Sequence, residues 1–231
     1  MILLIDCSVY QGPNVDFAAF ARAGVRGCYV ECQQGNDAPN PLFAEQTAAA
    51  RRAGLAVGVY HFAEILPDDG IHPDRDPLGQ IDRAWEAAGG VPWQPGDLPP
   101  MLDCEDPPPE RWAADGVSPS FVAQWIAAAL GAMDARWQRA AGIYTYAPWW
   151  RAVQGAGLDA SFAARRLWLA GYPVGGVLAK PPTMTVAPPP PWRSADLWQF
   201  TDKFIVDHEG PIDASVFIGD EPAWQVLLGS K

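Results

Sequence analysis

The sequence predicts an α/β fold, an irregular TIM-like (β/α) barrel of about eight strands in which helices are missing from the C-terminal third. A short apolar strand followed by a helix recurs five times, which is typical of a parallel sheet covered by helices. The last third is rich in strands, and no glycine-rich phosphate fingerprint follows the first strand, which disfavours a nucleotide-binding sheet. The 231 residues fit one barrel domain over 1–231.

Strands and helices alternate through the first half of the chain. Asp16 is predicted to cap a short amphipathic helix that Gly24 closes, and further helices are predicted over 41–53 and about 78–88. A long polar loop over 64–77 precedes the last of them. The predicted strands are 1–5, 25–32, 55–62 and 98–106.

The second half contains one long helix and shorter elements. Ser118 is predicted to cap a helix over 118–137, and Pro148 to begin a short helix. A stiff proline-rich surface loop is predicted over 180–192, and a closing helix over 221–228. The predicted strands are 141–146, 166–170 and 196–200, and segments 204–206 and 211–217 are expected to form a hairpin or an eighth strand.

The composition excludes several classes of function. Lys and Arg total 16 against 27 Asp and Glu, and a net charge of −11 argues against nucleic-acid binding and against a polybasic membrane anchor. The apolar N-terminus is interrupted at Asp6, too early for a signal peptide, and no run approaches transmembrane length. The four cysteines lack zinc spacing, so we expect no metal site and buried, reduced thiols in a protein made in the cytoplasm. We also expect a monomer with no cofactor.

The stretch LPPMLDCED at 98–106 carries two carboxylates at the end of a predicted strand. Alternate strand residues share a face, so Asp103 and Glu105 point the same way, with Cβ atoms roughly 6–7 Å apart, and Leu102 and Cys104 point the other way. Neighbouring carboxylates separate in pKa, so that one stays protonated near neutrality, as a glycosidase requires. The D-x-E pattern alone is more often a solvated acidic loop than a catalytic pair.

Polar or aromatic side chains also end the other predicted strands. In a barrel the carboxyl ends of the strands meet at one face and form the site. The residues at these ends are Asp6, Glu31, His61, Asp103, Glu105, Tyr144, Tyr146, Trp168 and Gln199. Their convergence from separate strands predicts a carbohydrate-cleaving site.

Seven collinear motifs resemble glycoside hydrolase family 25, the Chalaropsis-type lysozymes or muramidases of bacterial and phage origin. The motifs are IDCSVYQG at 5–12, YHFA at 60–63, LDCED at 102–106, IYTYAPWW at 143–150, LWLAGY at 167–172, LWQFTD at 197–202 and IDASVF at 212–217. They span nearly the whole chain in the family's order. The resemblance implies an irregular β/α barrel that cleaves the β-1,4 bond between N-acetylmuramic acid and N-acetylglucosamine in peptidoglycan.

The resemblance also implies roles for individual residues. Glu105 is expected to be the general acid/base, and Asp103, Asp6 and Asp213 to form the surrounding acidic cluster. The substrate's own N-acetyl group is expected to attack, with Asp103 orienting it. The residues expected to bind substrate are Glu31, Tyr60, His61, Tyr144, Tyr146, Trp168 and Gln199.

Several of these interpretations have alternatives. Tyr60, Tyr144 and Trp168 are compatible with barrel packing as well as with sugar platforms, and His61 with a hydrogen-bonded barrel position. Glu31 stands where the family usually carries a lysine. This departure keeps open a glycan-binding barrel without activity, and the D-x-E pattern keeps open a chitinase-like glycosidase. For a lysin without a signal peptide, release through a holin-type pore is expected.

Overall fold

The computed structural model describes residues 1–67, 76–157, 159–172, 178, 180–181, 183 and 186–229, and within them nine strands form one sheet. The strands are Ile2–Cys7 (β1), Val25–Gln34 (β2), Ala38–Pro39 (β3), Ala56–Glu64 (β4), Met101–Asp106 (β5), Gly142–Tyr146 (β6), Leu167–Ala170 (β7), Leu197–Val206 (β8) and Glu209–Phe217 (β9). The sheet closes because β1 pairs with both β2 and β9. Eight strands therefore complete a barrel, and β3 lies outside it as a short addition to β2.

Helices follow the early strands, as the sequence predicts. They are Phe17–Arg22 (α1), Phe43–Arg52 (α2), Pro77–Ala87 (α3), Pro119–Trp137 (α4), Ala147–Val153 (α5), Asp159–Ala163 (α6) and Glu221–Leu227 (α7). The predicted caps are confirmed: Asp16 Oδ1 accepts from the Ala19 backbone N–H (2.9 Å), and Ser118 Oγ accepts from that of Phe121 (3.1 Å). The helix predicted from residue 41 begins at Phe43, because the Asn40 side chain accepts the Leu42 N–H instead.

The last two strands close the barrel without a helix between them. β8 is parallel to β7, whereas β9 returns antiparallel to β8 and also pairs antiparallel with β1. The predicted irregular barrel with an incomplete helical shell is thus confirmed. Segments 204–206 and 211–217, for which the sequence allows a hairpin or a single eighth strand, belong to the antiparallel hairpin of β8 and β9. Closure brings Asp213 of β9 directly opposite Asp6 of β1.

Three apolar clusters hold the barrel. One packs α3, α4 and α5 against the outer faces of β4 to β7, and a second packs α1 and α2 against β1, β2, β8 and β9. The third fills the barrel interior around Trp168, whose ring stacks on Tyr29 at a centroid distance of 4.6 Å. Tyr144 and Tyr60 approach the same indole edge-on at 4.9 and 6.2 Å. An aromatic plug therefore seals the barrel below its carboxyl-end mouth.

The cysteines are free and buried, as expected from their spacing. Cys104 faces the outer apolar cluster, opposite to Asp103 and Glu105, which confirms the alternation predicted for this strand. The Sγ atoms of Cys7 and Cys28 lie 3.9 Å apart on neighbouring strands. These thiols pack as small apolar side chains.

None of the helices in the described part of the chain combines the length and apolar character that crossing a bilayer requires. Two predicted loops fall partly on positions outside the described residues, namely the polar loop over 64–77 and the proline-rich loop over 180–192.

Two glycines provide a test of the interior packing. A Cβ on Gly58 of β4 would penetrate the Tyr29 ring and lie 2.8 Å from Leu98 Cβ, whereas a Cβ on Gly131 of α4 meets nothing within 4 Å. We expect Gly58→Ala to lower the free energy of unfolding by about 1–3 kcal/mol through overpacking. Gly131→Ala, the control, should raise it by up to about 1 kcal/mol through helix propensity. Urea denaturation measures both, and equal stabilities of the two variants would contradict this packing.

Candidate active site

The carboxyl ends of the barrel strands surround a cavity of about 330 Å³. Side chains from β1, β2, β4, β5, β6, β7, β8 and β9 reach it, so every strand of the closed ring contributes. The lining residues are Asp6, Ser8, Tyr10, Gln11, Glu31, Tyr60, Phe62, Asp103, Glu105, Tyr144, Trp168, Tyr172, Gln199, Asp202 and Asp213. The structure therefore brings together the four acids proposed as catalytic from the sequence.

The paired carboxylates of β5 lie at different depths. Asp103 is only 6% exposed, and its Oδ1 has no hydrogen-bond partner among the residues that the structure describes. Glu105, two residues closer to the strand end, is half-buried. Burial, together with the charges of Asp106 and Asp213, raises the pKa of Glu105 to about 7. Burial first, and then the charge of Glu105, raises the pKa of Asp103 well above its ordinary value.

Asp6 and Asp213 form the second pair. They are directly opposite in the antiparallel β1–β9 ladder, so two buried carboxyl groups face each other. Burial and the Asp213 charge raise the pKa of Asp6 well above its ordinary value. Burial and the charge of Asp202 raise the pKa of Asp213 to about 6, although the interaction with Asp6 opposes the rise.

Gln199 connects this pair to the aromatic wall. Its Oε1 accepts hydrogen bonds from the phenols of Tyr144 (2.8 Å) and Tyr172 (2.7 Å). Two donors on the oxygen fix the orientation of the amide, so Nε2 donates to Asp6 Oδ2 at 3.0 Å. Gln199, predicted to bind substrate, thus also positions Asp6.

Glu31 adds a further carboxylate to the cavity wall. It is 6% exposed, and burial alone raises its pKa to about 7. Its charge in turn contributes to the raised pKa of Asp103. Among the described residues that line the cavity, none is a lysine or an arginine. With a glutamate at position 31 in place of the expected lysine, every charged residue of the described lining is acidic.

The aromatic residues predicted at the strand ends divide into two roles. Trp168 is 2% exposed, donates from Nε1 to Ser215 Oγ (2.9 Å), and forms the floor together with Tyr60 and Tyr144. These three rings are packed against one another, and each is at most 9% exposed. Tyr146 lies at the rim on the same strand face as Tyr144, and its pKa is raised by burial and by the nearby Glu105.

His61 is a correction to the sequence-based substrate set. Its ring is fully buried on the outer face of β4, with Nδ1 3.0 Å from the Gln33 carbonyl oxygen and Nε2 3.2 Å from Gln80 Oε1. Burial lowers its pKa to about 4. Because Tyr60 points into the barrel, its neighbour must point out, so His61 joins the sheet to α3 and does not reach the cavity.

The sequence reasoning missed several residues at the mouth. Tyr10 is 84% exposed and Tyr172 47% exposed, and both line the cavity, as does Asp202. All three fall inside the recognised motifs, but they lie after or beyond the barrel-facing part of a strand, where alternation gives no direction. The Ser8 side chain accepts the Tyr10 N–H (3.2 Å) and so fixes the turn that presents the ring.

A second cavity among the described residues has a different character. A hollow of about 580 Å³ lies between α2, α3 and the outer face of β4, and its lining is mainly apolar. Its charged residues, Arg51 and Asp97, pair with each other at 2.9 Å. Over the described ranges, no group of three or more His, Cys, Asp or Glu side chains has the arrangement that would hold a metal ion.

Comparison with known proteins identifies the same family that the motifs resemble. The chain matches the profile of glycosyl hydrolases family 25 over residues 5–208. Lysozyme M1 of Streptomyces globisporus is 27% identical over 216 residues, which are 93% of this chain and 67% of that protein. Asp213 lies just beyond the matched range, so its place in the site depends on its register with Asp6.

Solved structures of similar proteins share the fold along nearly their whole length. A muramidase from Trichobolus zukalii is 26% identical with a TM-score of 0.78, and each chain covers 99% of the other. The bacterial lysozyme from Streptomyces coelicolor is 26% identical with a TM-score of 0.77, covering 98% of this chain and 96% of its own. A family GH25 lysozyme from Aspergillus fumigatus is 27% identical with a TM-score of 0.77, covering 100% and 99%.

The raised carboxyl pKa values predict a pH-dependent stability. A group whose pKa is raised on folding stabilises the protein below its unfolded pKa, and that contribution is lost as the pH rises through the folded pKa. For Glu31 this window runs from 4.5 to about 7. We expect the free energy of unfolding to fall across it, and Glu31→Gln to be more stable than wild type at pH 8 by about 2–3 kcal/mol.

Urea denaturation at pH 5 and pH 8 measures this difference. Glu86→Gln is the matched control. Glu86 is an exposed glutamate of α3 (69% side-chain exposure), so this substitution removes the same charge far from the cavity. Identical pH dependence in Glu31→Gln and wild type would show that the Glu31 carboxyl is not desolvated in the folded state.

Proposed function

The chain belongs to glycosyl hydrolases family 25 and is a peptidoglycan muramidase, and we propose that Glu105 is its general acid/base. The reaction is hydrolysis of the β-1,4 bond between N-acetylmuramic acid and N-acetylglucosamine. The observation that supports the assignment of Glu105 is its position: it is the carboxyl on the barrel-facing side of β5 that is half open to the cavity and has a pKa of about 7. A proton is therefore available near neutrality for the departing glycosidic oxygen.

The nucleophile in this proposal is the carbonyl oxygen of the substrate's own N-acetyl group. It attacks the anomeric carbon as the glycosidic bond breaks, and Glu105 gives its proton to the leaving oxygen. The oxazolinium ion that results is opened by water, from which the Glu105 carboxylate takes a proton. The two inversions give net retention of configuration without an ester to the protein.

Asp103 is suited to hold the acetamide. Its Oδ1 is buried and has no donor in the free protein. The acetamide N–H would supply that donor, and a hydrogen bond to the carboxylate favours its ionised form against burial. A charged Asp103 then stabilises the positive charge that develops on the oxazolinium.

Asp6 and Asp213 set the electrostatics around the reacting carbon. The Asp213 charge contributes to the raised pKa of Glu105, and the raised pKa of Asp6 opposes the accumulation of charge in the cluster. Negative charge at this position also favours an oxocarbenium-like transition state. The pair therefore keeps Glu105 protonated before the reaction and stabilises cation character during it.

For sugar binding we propose the exposed rings at the mouth in addition to the predicted residues. Tyr10 and Tyr172 present ring faces that a pyranose can stack on, whereas Trp168 is covered by tyrosines. Tyr60 and Tyr144 line the cavity and border the bound sugar, and Glu31 and Gln199 supply polar contacts. Tyr146 is not among the lining residues, but it follows Tyr144 on the same strand face near Glu105, where a longer glycan can reach it. Outside the cell, the target is the cell wall, and we propose monomeric action after holin-type release.

Identification of the newly formed reducing ends separates this function from its two rivals. A chitinase-like enzyme would release chitin oligomers, whereas a muramidase acting on purified walls leaves N-acetylmuramic acid at each new reducing end, as borohydride labelling and mass spectrometry would show. A glycan-binding barrel without activity would bind walls and release no reducing ends.

The acid/base role predicts a selective loss of turnover. Glu105→Gln keeps the shape of the side chain but has no proton to transfer, so we expect kcat on purified walls to fall by about 10²–10⁴-fold with little change in KM. Glu86→Gln should keep wild-type activity because it lies on an exposed helix face. Wild-type turnover by a folded Glu105→Gln protein would assign the acid elsewhere.

The electrostatic role of Asp213 predicts a shift in the pH profile. In wild type, kcat/KM should decline as the pH rises above about 7, where Glu105 loses its proton. Asp213→Asn removes a negative neighbour, which lowers the pKa of Glu105 and moves this decline to lower pH. A decline at unchanged pH would mean that Asp213 does not act on the acid through its charge.

A further inference from the structure

Glu31 is a buried carboxylate that the catalytic steps do not use. It projects from the barrel-facing side of β2 into the cavity and is 6% exposed. No described residue donates a hydrogen bond to its carboxylate, and burial is the single cause of its altered pKa. A carboxylate left at this depth without a donor is costly unless a ligand supplies one.

The surroundings of Glu31 favour a cationic ligand group. On β5, which is separated from β2 only by β4, Asp103 has a buried oxygen that also lacks a donor among the described residues, and the Glu31 charge acts on it. The other charged side chains of the described lining are carboxylates as well, those of Asp6, Glu105, Asp202 and Asp213. In such a place, a hydrogen bond from an ammonium is stronger than one from a hydroxyl or an amide N–H, since it also neutralises charge.

The depth of Glu31 restricts where such an ammonium can be on the substrate. A stem peptide leaves the lactyl group of muramic acid and extends towards solvent, whereas a carboxylate 6% exposed in the cavity wall is reached by a ring substituent. The muramic acid ring must keep its N-acetyl group, because that group is the nucleophile. The amine must therefore belong to a glucosamine ring.

We propose that Glu31 is a specificity-determining residue that binds the ammonium of N-deacetylated glucosamine, so that this muramidase prefers peptidoglycan whose glucosamine residues carry free amines. The inference rests on the proposed muramidase function and names the substrate class of the same site. A lysine at this position, as is usual in the family, would repel the same amine.

The test uses two preparations of one batch of glycan strands, stripped of stem peptides by an amidase. One is fully N-acetylated with acetic anhydride, and the other is partly N-deacetylated with a peptidoglycan deacetylase that acts on glucosamine. The measurement is kcat/KM, from reducing-end release at low substrate concentration, for wild type, Glu31→Gln, Glu31→Lys and the control Glu86→Gln.

We expect wild type and Glu86→Gln to cleave the deacetylated strands at least tenfold more efficiently, Glu31→Gln to show a ratio near one, and Glu31→Lys a ratio below one. Equal ratios in wild type and Glu31→Gln would overturn the proposal. Wild type that releases no reducing ends from either preparation would overturn the proposed function itself, whereas activity without preference overturns this inference alone.

A binding measurement does not depend on turnover. The Glu105→Gln protein, with and without Glu31→Gln, is titrated by calorimetry with chitosan tetramer and with chitin tetramer. Loss of about tenfold or more in affinity for the chitosan tetramer on adding Glu31→Gln, with the chitin tetramer unaffected, is the expected result. Equal losses of affinity for both oligomers would show that Glu31 contacts the sugar whether or not it carries an ammonium, which would contradict the proposal.

Discussion

Asp6 and Asp213 face each other across the β1–β9 ladder, and burying two carboxyl groups so close together disfavours ionising both. This repulsion raises the pKa of Asp6, and the Asp213 charge also acts on Glu105, so the pair influences the charge of the whole cavity. The two residues come from opposite ends of the chain, so the pair exists only because the barrel closes. The strand pairing that closes the sheet therefore also brings together the two carboxyl groups whose interaction raises the pKa of Asp6.

The aromatic floor makes this repulsion effective. Trp168, packed among Tyr29, Tyr60 and Tyr144, excludes water from below, so each carboxylate above it is solvated from one side only. Gln199, held by two phenols, fixes Asp6 and prevents the pair from turning away from each other. Stability is given up here for reactivity, because clustered buried acids destabilise the folded state once they ionise.

Strand alternation explains how much of this could be predicted from the sequence. It placed Asp103 and Glu105 on one face and Cys104 on the other, and the structure agrees. The same rule, applied to Tyr60, would have turned His61 outward; His61 was included for its chemistry instead. Tyr10 lies in the short 3-10 helix Val9–Gln11, and Tyr172 follows the end of β7, so strand alternation predicts the direction of neither side chain. The position of Tyr10 depends instead on contacts such as the Ser8 cap.

Depth explains why Glu105, and not Asp103, is suited to be the acid. A general acid must regain its proton in every cycle, so it needs contact with solvent as well as a raised pKa. Glu105 is half-buried at the strand end and has both, whereas Asp103 is 6% exposed. The deeper carboxylate is better suited to a contact that the substrate itself completes, since its bare oxygen is stabilised when a donor arrives. A spacing of two residues on one strand thus places the two carboxylates at two depths and so gives them two roles.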